Sequence, residues 1–168
     1  MWTNPLQAVL KMALIWSACL SGCAAEDKVI DPGTRIHHDD FEYSGLRVDR
    51  TDRIGHRQAG GTFYVVRFQV ENRAGRVSHR WSNDIAYIVD GIGRQYENDG
   101  TVQKALEAVK PFGYKDRYVT PAKAVETTML VFDVPKDVNE PYLKVRGEFL
   151  MGDLFDANQY RRTRVKLF

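Results

Sequence analysis

The feature that most restricts the fold of this chain is an alternation of apolar and polar side chains. From Tyr64 to Val70 every second residue is apolar, and Arg67 and Gln69 alternate with them. A period of two residues places the apolar side chains on one face of an extended strand. Further segments with the sequence pattern of strands, separated by residues typical of turns, lie at residues 85–89, 127–134, 142–150 and 160–168. The spacing predicts an all-β chain folded as an antiparallel β-sandwich.

A single helical pattern interrupts the strands near residue 105. Asp99 or Thr101 can cap its start, and Pro111 ends it because proline lacks a backbone donor. The apolar residues of this segment recur at helical spacing: Val102, Ala105, Leu106 and Val109. We therefore expect one short inserted helix at about residues 101–110, which plugs one end of the sandwich or covers a sheet edge.

The length and charge of the chain limit its organisation. Its 168 residues carry 24 basic and 22 acidic side chains, so the formal net charge is +2. A nearly neutral chain lacks the basic surface that nucleic-acid binding requires, and we expect no nucleic-acid partner. Residues 41–168 suffice for one domain with a single core. Residues 23–40 are polar with a Pro32-Gly33 break, which predicts a flexible tether reaching about 55 Å.

The N-terminal segment has the features of an export signal. Lys11 precedes an apolar run that is too short to span a bilayer and that ends in Leu20-Ser21-Gly22-Cys23. This motif resembles the lipobox of bacterial lipoproteins. The resemblance implies that residues 1–22 are a signal peptide and that Cys23 carries a lipid. Cys19 would leave with the signal peptide, so the folded domain would hold no disulfide.

A lipobox implies a location in the cell envelope, with the domain attached to a membrane through its N-terminal lipid. Residue 24 is Ala rather than Asp, which favours the outer membrane, facing the periplasm, in a host that has one. Two alternatives are open. Residues 12–22 could form an ordinary N-terminal helix or an uncleaved anchor, and without a lipid on Cys23 the protein could be a secreted effector or inhibitor.

Three segments resemble a family of immunoglobulin-like domains. Phe63–Asn72 fits a Phe-x-Val-x-Val-x-Asn-like strand, Asp90–Tyr96 fits Asp-x-x-Gly-x-x-Tyr, and Leu130–Pro135 fits Leu-Val-Phe-x-Val-Pro. They are similar to secreted or lipid-anchored domains of unknown function related to the secreted immunoprotective-antigen sandwich. The resemblance covers roughly residues 41–168 and implies an immunoglobulin-like β-sandwich without catalytic residues. The chain departs from the family at Lys123-Ala124, where members tend to have a glycine turn.

Two features are candidates for contact with a partner or ligand. Trp81 could anchor a partner from its polar segment, although a tryptophan in a sandwich more often belongs to the core. The last strand would place Arg162, Arg164 and Lys166 on one face, where they could bind anionic headgroups or an acidic partner. The favoured alternative for these three is a solvated face that protects an edge strand from aggregation.

The histidines suggest functions of a different class. The segment His37-His38-Asp39-Asp40 contains imidazole and carboxylate groups, which bind Zn²⁺ or Cu²⁺. Adjacent residues of an extended chain point to opposite sides, so a metal site would need another ligand, such as His56 or His79. Serines flank His79, but the polarity of loops explains these two histidines better than a hydrolytic triad does. We expect no catalytic residues, no metal site and no cofactor.

The sequence favours a non-catalytic function. We expect a lipid-anchored envelope protein that acts as a binding or structural accessory module. Its partners would be the membrane, reached through the N-terminal lipid, and an envelope protein or an anionic surface. The alternative is a metal-binding protein or hydrolase that uses His56 and His79 or the pair His37 and His38.

Overall fold

The computed structural model describes residues 28–38, 40–109, 118–146 and 163–168. In these ranges the chain forms eleven strands, one α-helix and a 3-10 turn at Asn83–Ile85. The helix is α1 (Gly100–Val109). The strands are β1 (Lys28–Ile30), β2 (Ile36–His38), β3 (Phe41–Ile54), β4 (Arg57–Asn72), β5 (His79–Trp81), β6 (Ala86–Val89), β7 (Gln95–Tyr96), β8 (Tyr118–Thr120), β9 (Val125–Val134), β10 (Tyr142–Val145) and β11 (Thr163–Lys166).

Most of these strands form two sheets that enclose the core. Sheet A has the order β1-β11-β10-β6-β7, sheet B has the order β2-β3-β4-β9, and β5 and β8 form a separate ribbon. Among the described strands every pairing is antiparallel except β1 with β11. The antiparallel β-sandwich with one short helix is therefore confirmed.

β4 is the central strand of sheet B, and it organises the main core. It pairs with β3 on one side and with β9 on the other, over nearly its whole length. The predicted apolar face is confirmed, because the alternate side chains from Tyr64 to Val70 are buried between the sheets. Residues that pack against them from sheet A include Ile88, Leu143 and Val165.

A second, smaller core lies on the outer face of sheet B. Phe63 and Val65 of β4 point away from the main core and pack against Val102 and Leu106 of α1. The helix also lies along the free edge of β9, which is one of the two positions expected from the sequence. Residue 110, the last of the predicted helix, lies outside the described residues. In the described part of the chain no helix has both the length and the apolarity needed to cross a membrane.

Two expectations from the sequence are corrected by the strand pairing. Within the predicted tether at residues 23–40, β1 pairs with β11 and β2 pairs with β3, so this segment belongs largely to the sandwich. The C-terminal strand is not an edge strand, because β11 lies between β1 and β10. Its charges therefore do not protect an edge. The pairing of β1 with β11 joins distant parts of the chain, which local alternation does not reveal, whereas β2 and β3 form a hairpin between neighbouring segments. The predicted strand residues 147–150 and 160–162 lie outside the described ranges.

Candidate functional site

A cleft of about 270 Å³ opens at the end of the sandwich where the β5–β8 ribbon meets sheet A. β5 leads through the 3-10 turn directly into β6, so one continuous segment forms most of the wall. The end of β10 completes it, because the backbone N–H of Arg146 donates to the carbonyl of Ile85 over 2.5 Å. The lining residues are His79, Arg80, Trp81, Ser82, Asp84, Ile85 and Arg146.

Two aromatic side chains hold the inner wall of this cleft in place. His79 and Trp81 are buried and Arg80 between them is exposed, as the alternation of a strand requires. The His79 ring stacks on Phe41 of β3, with ring centroids 3.6 Å apart. The indole N–H of Trp81 donates to the hydroxyl of Thr120 in β8 over 2.9 Å. These contacts tie β5 to sheet B and to β8, so the cleft is preformed.

Arg146 is a cation held in a fixed position. Its guanidinium donates to both carboxylate oxygens of Glu97, over 2.6 and 2.8 Å, and to the carbonyl of Asp84 over 3.0 Å. It also lies over the ring of Tyr87, 4.3 Å from the centroid. The hydrogen bond to Glu97 raises the pKa of Arg146 above its ordinary value. The bidentate pair fixes the orientation of the guanidinium and offsets its charge.

The mouth of the cleft carries charges of both signs. Arg80 and Asp84 are exposed there, and Asp84 accepts a hydrogen bond from the hydroxyl of Ser82. Among the residues that the structure describes, the side chain of Arg80 has neither an ion-pair nor a hydrogen-bond partner. Arg80 is therefore the charged group of the cleft best placed to meet a ligand.

Asn72 fixes the loop that precedes β5. Its side chain is fully buried at the end of β4. The amide nitrogen donates to the carbonyls of Val77 and Thr120, over 2.7 and 3.0 Å, and its oxygen accepts from the N–H of Ala74 over 3.0 Å. The sequence places Asn72 in a family-like strand motif but does not by itself reveal this role. The pattern that points to it is an asparagine at the end of a strand, before a glycine-containing turn.

The predicted contact residues occupy different environments. Trp81 is only 6% exposed and belongs to the main core, the interpretation that the sequence favoured, although it also lines the cleft. Arg164 is half-buried with its guanidinium 5.2 Å from the ring of Tyr142, and Lys166 is exposed. Arg162 and the predicted lipidation site Cys23 lie outside the described residues.

The structure separates the histidines that a metal site or a hydrolase would combine. His56 is exposed at the turn that joins β3 to β4, whereas His79 stacks on Phe41 at the other end of β3. Loop polarity does not explain His79, because this residue is buried in a strand. His37 is exposed in β2, and the side chain of His38 lies outside the described part. No group of three potential metal ligands occurs among the described residues.

A buried carboxylate orders the turn at the opposite end of the sandwich. Asp90 accepts hydrogen bonds from the backbone of Ile92 and Arg94, over 3.0 and 2.8 Å. It also accepts from the Arg94 guanidinium over 2.6 Å and from the Tyr96 hydroxyl over 3.1 Å. Burial raises the pKa of this carboxyl, but the hydrogen bonds outweigh burial and lower it to about 2. Asp90 is thus a structural anion of the β6–β7 turn.

The two-sheet arrangement defines the protein as a β-sandwich, and comparison with solved structures supports this class. A secreted protein of Mycobacterium tuberculosis, MPT63, is 15% identical and superimposes with a TM-score of 0.52, covering 75% of this chain and 94% of its own. A conserved hypothetical protein of Bacillus anthracis is 16% identical, with a TM-score of 0.56, and covers 71% of this chain and 91% of its own. The yjhA protein of Bacillus subtilis is 11% identical, with a TM-score of 0.56, and covers 84% of this chain and 99% of its own.

Residues 31–154 match the family model described as "Domain of unknown function (DUF4352)", and the chain belongs to this family. The match includes β2 and begins between β1 and β2, which agrees with the correction of the tether. A search of curated proteins found no match. At identities of 11–16% the solved structures are informative about the fold alone.

Proposed function

We propose that this protein is a lipid-anchored component of the cell envelope that acts as a non-catalytic binding module through the cleft at residues 79–85 and 146. The observation that carries the proposal is the preformed, charged character of this cleft. Arg146 is fixed by Glu97, and Arg80 and Asp84 stand at the mouth beside a buried aromatic wall. Charged and hydroxyl groups held by a rigid scaffold select a polar ligand by complementary hydrogen bonds.

The sequence supports the anchor. A basic residue, a short apolar run and Leu20-Ser21-Gly22-Cys23 occur in the order that a lipoprotein signal requires. The structural neighbour from Mycobacterium tuberculosis is described as a secreted protein, which fits an exported domain. We place the protein on the outer membrane, facing the periplasm, in a host that has one, because Ala24 follows Cys23.

The anchor is tested by replacing each of the two cysteines of the chain. Mass spectrometry of the N-terminal peptide should detect a lipid on Cys23 in the wild type and in Cys19→Ser, but no lipid in Cys23→Ser. Cys19→Ser is the matched control, because it removes a cysteine from the segment that would be cleaved. An unmodified N-terminal peptide in the wild type would refute the lipid anchor.

The binding role is tested with a photo-crosslinking residue at position 80 in the full-length protein in its own membrane. Position 136 is the control, because Lys136 is exposed at the opposite end of sheet B. We expect a saturable adduct from position 80 that is absent from position 136. Identical adducts from both positions, or none from either, would contradict a binding site at the cleft.

A further inference from the structure

The position of β1 limits how far the domain can stand from its anchor. Only residues 24–27 separate Cys23 from Lys28, the first residue of β1. A fully extended connection of this length reaches about 17 Å. A tether that ran to residue 40 would reach about 55 Å. If Cys23 carries the lipid, as the proposed function holds, the end of the domain that contains Lys28 lies against the membrane.

The strand register shows that this is the end that carries the cleft. Lys28 lies opposite Thr163, and the register of β10 with β11 places Val145 level with Thr163. Val145 in turn lies opposite Ala86, and the next residue, Arg146, lines the cleft. Two strand spacings, about 10 Å, separate β1 from β10. The cleft and the start of β1, where the chain enters the sandwich, therefore lie at the same end of sheet A.

The loops and the β5–β8 ribbon at this end combine exposed cations with exposed apolar side chains. We call the set Arg76, Val77, Arg80, Val119 and Lys123 the anchor-end surface. Val77 is 65% exposed and Val119 is 47% exposed, and Val119 lies directly opposite Arg80 in the β5–β8 ribbon. Among the described residues, the three cations of this surface have no ion-pair partner.

Acidic groups at the same end do not cancel these cations. The carboxylate of Glu42 is paired with Arg35 and Arg73, and the carboxylate of Glu97 is paired with Arg146. The carboxylates of Asp40, Glu71, Asp84 and Glu126 remain among the described residues of this end, against Lys28 and the three cations of the anchor-end surface. Because Glu42 is paired with two cations, these described residues carry a small net positive charge.

We infer that the partner of the cleft end is the membrane surface itself: the anchor-end surface rests on anionic lipid headgroups of the leaflet that holds the lipid. The cations would meet headgroup phosphates, with Arg80 presenting one of them to the mouth of the cleft, while Val77 and Val119 lie at the boundary with the acyl chains. The four-residue connection makes this contact effectively intramolecular, so that weak interactions suffice to hold it.

The orientation is tested with the full-length protein in vesicles of phosphatidylglycerol and phosphatidylethanolamine. A fluorescent probe is attached to Val119→Cys or, as the matched control, to Ile92→Cys, which is exposed at the opposite end of the sandwich. A quencher in the acyl chains should quench the probe at position 119 and spare the probe at position 92. Equal quenching of both probes by an aqueous quencher would overturn the inference. Protection of position 119 from both quenchers would also overturn it, because a protein would then cover this surface.

Charge variants test the nature of the contact. Arg80→Gln and Lys123→Gln should each lower the ratio of membrane-contacting to free domain about fivefold, since one basic residue near an anionic surface contributes about that factor. Lys136→Gln is the matched control and should leave the ratio unchanged. Vesicles of phosphatidylcholine alone should lower the ratio for the wild type. Insensitivity to both the charges and the lipid would refute the inference. The lipid on Cys23 is measured separately in each sample, so a failed anchor is distinguished from a failed docking surface.

Discussion

The side-chain amide of Gln103 forms a hydrogen bond with the β9 backbone at Val131, in the place where a neighbouring strand would otherwise pair. Its oxygen accepts a hydrogen bond from the backbone N–H of Val131 over 3.0 Å. Its nitrogen donates to the carbonyl of Met129 over 2.8 Å. The side chain is fully buried, so α1 closes the free edge of β9 with an amide that imitates the backbone. The part of the edge from Met129 to Val131 is therefore not available for pairing with another chain.

Replacement of Gln103 by Ala should destabilise the domain by about 2–4 kcal/mol. The change leaves one backbone donor and one backbone acceptor of β9 without their partners, and each costs about 1–3 kcal/mol when buried. Urea denaturation would measure the free energy of unfolding. Lys104→Ala, an exposed change on the same helix, is the control and should differ from the wild type by less than about 0.5 kcal/mol. Equal stability of the two variants would show that the edge does not need this amide.

Among the described glycines, Gly61 is the one at which an added side chain would meet the tightest obstruction. A Cβ there would lie 2.0 Å from the carbonyl oxygen of Val134 and 2.6 Å from Cα of Pro135, both atoms of the backbone. Gly61→Ala should therefore separate β4 from β9 locally and cost roughly 3 kcal/mol or more. Gly75→Ala is the comparison, because no atom lies within 4 Å of its added Cβ. Thermal unfolding of the two variants would show the difference, and similar melting temperatures would contradict the expected clash.

The pH dependence of stability should reflect Asp90. Its pKa is lowered from 3.8 to about 2 in the folded protein, so the folded state favours the ionised carboxyl. The stabilisation is complete above the unfolded pKa, and it is lost as pH falls from about 4 towards 2. Asp90→Asn should lower the melting temperature at neutral pH and flatten its dependence on pH in this acidic window.

The control for Asp90 is Asp137→Asn, which changes an exposed carboxyl. Melting temperatures are compared at a series of pH values for both variants. Asp137→Asn should retain the acid-induced loss of the wild type. If Asp90→Asn also retained the acid-induced loss of melting temperature, the hydrogen bonds at the β6–β7 turn would not be the origin of that loss.

The local sequence pattern predicted β4, the central strand of the main core, correctly. The alternation from Tyr64 to Val70 predicted β4, and the same segment contains the reason for the second core. Phe63 and Val65 are apolar as well, so both faces of β4 are buried from Phe63 to Val66, as in a strand covered on two sides, whereas Arg67 and Gln69 further along the outer face are exposed. The sequence did not reveal what covers the second face, because the periodicity of one strand contains no information about its partner.

Pairing between distant residues accounts for what the sequence did not predict. β1 has three residues and follows no alternation, and it exists because β11 pairs with it from the other end of the chain. The cleft likewise combines residues 79–85 with Arg146. Trp81 was recognised as a candidate, but Arg146 was not, because nothing in its own segment marks it. Only the register of β10 with β6 brings these groups together.

The role of Asn72 connects stability to the anchor-end surface. Asn72→Ala removes three hydrogen bonds and leaves the carbonyls of Val77 and Thr120 without the donor that holds them. We expect a loss of about 2–4 kcal/mol in unfolding free energy, since buried polar groups left unpaired are costly.

The loop between β4 and β5 should also loosen first, because the amide is its main link to β8. Limited trypsin digestion would detect this as faster cleavage after Arg73 or Arg76 than in the wild type. Gln69→Ala, an exposed change on the same strand, is the control and should leave the rate unchanged. Slow cleavage in Asn72→Ala would mean that other contacts hold this loop.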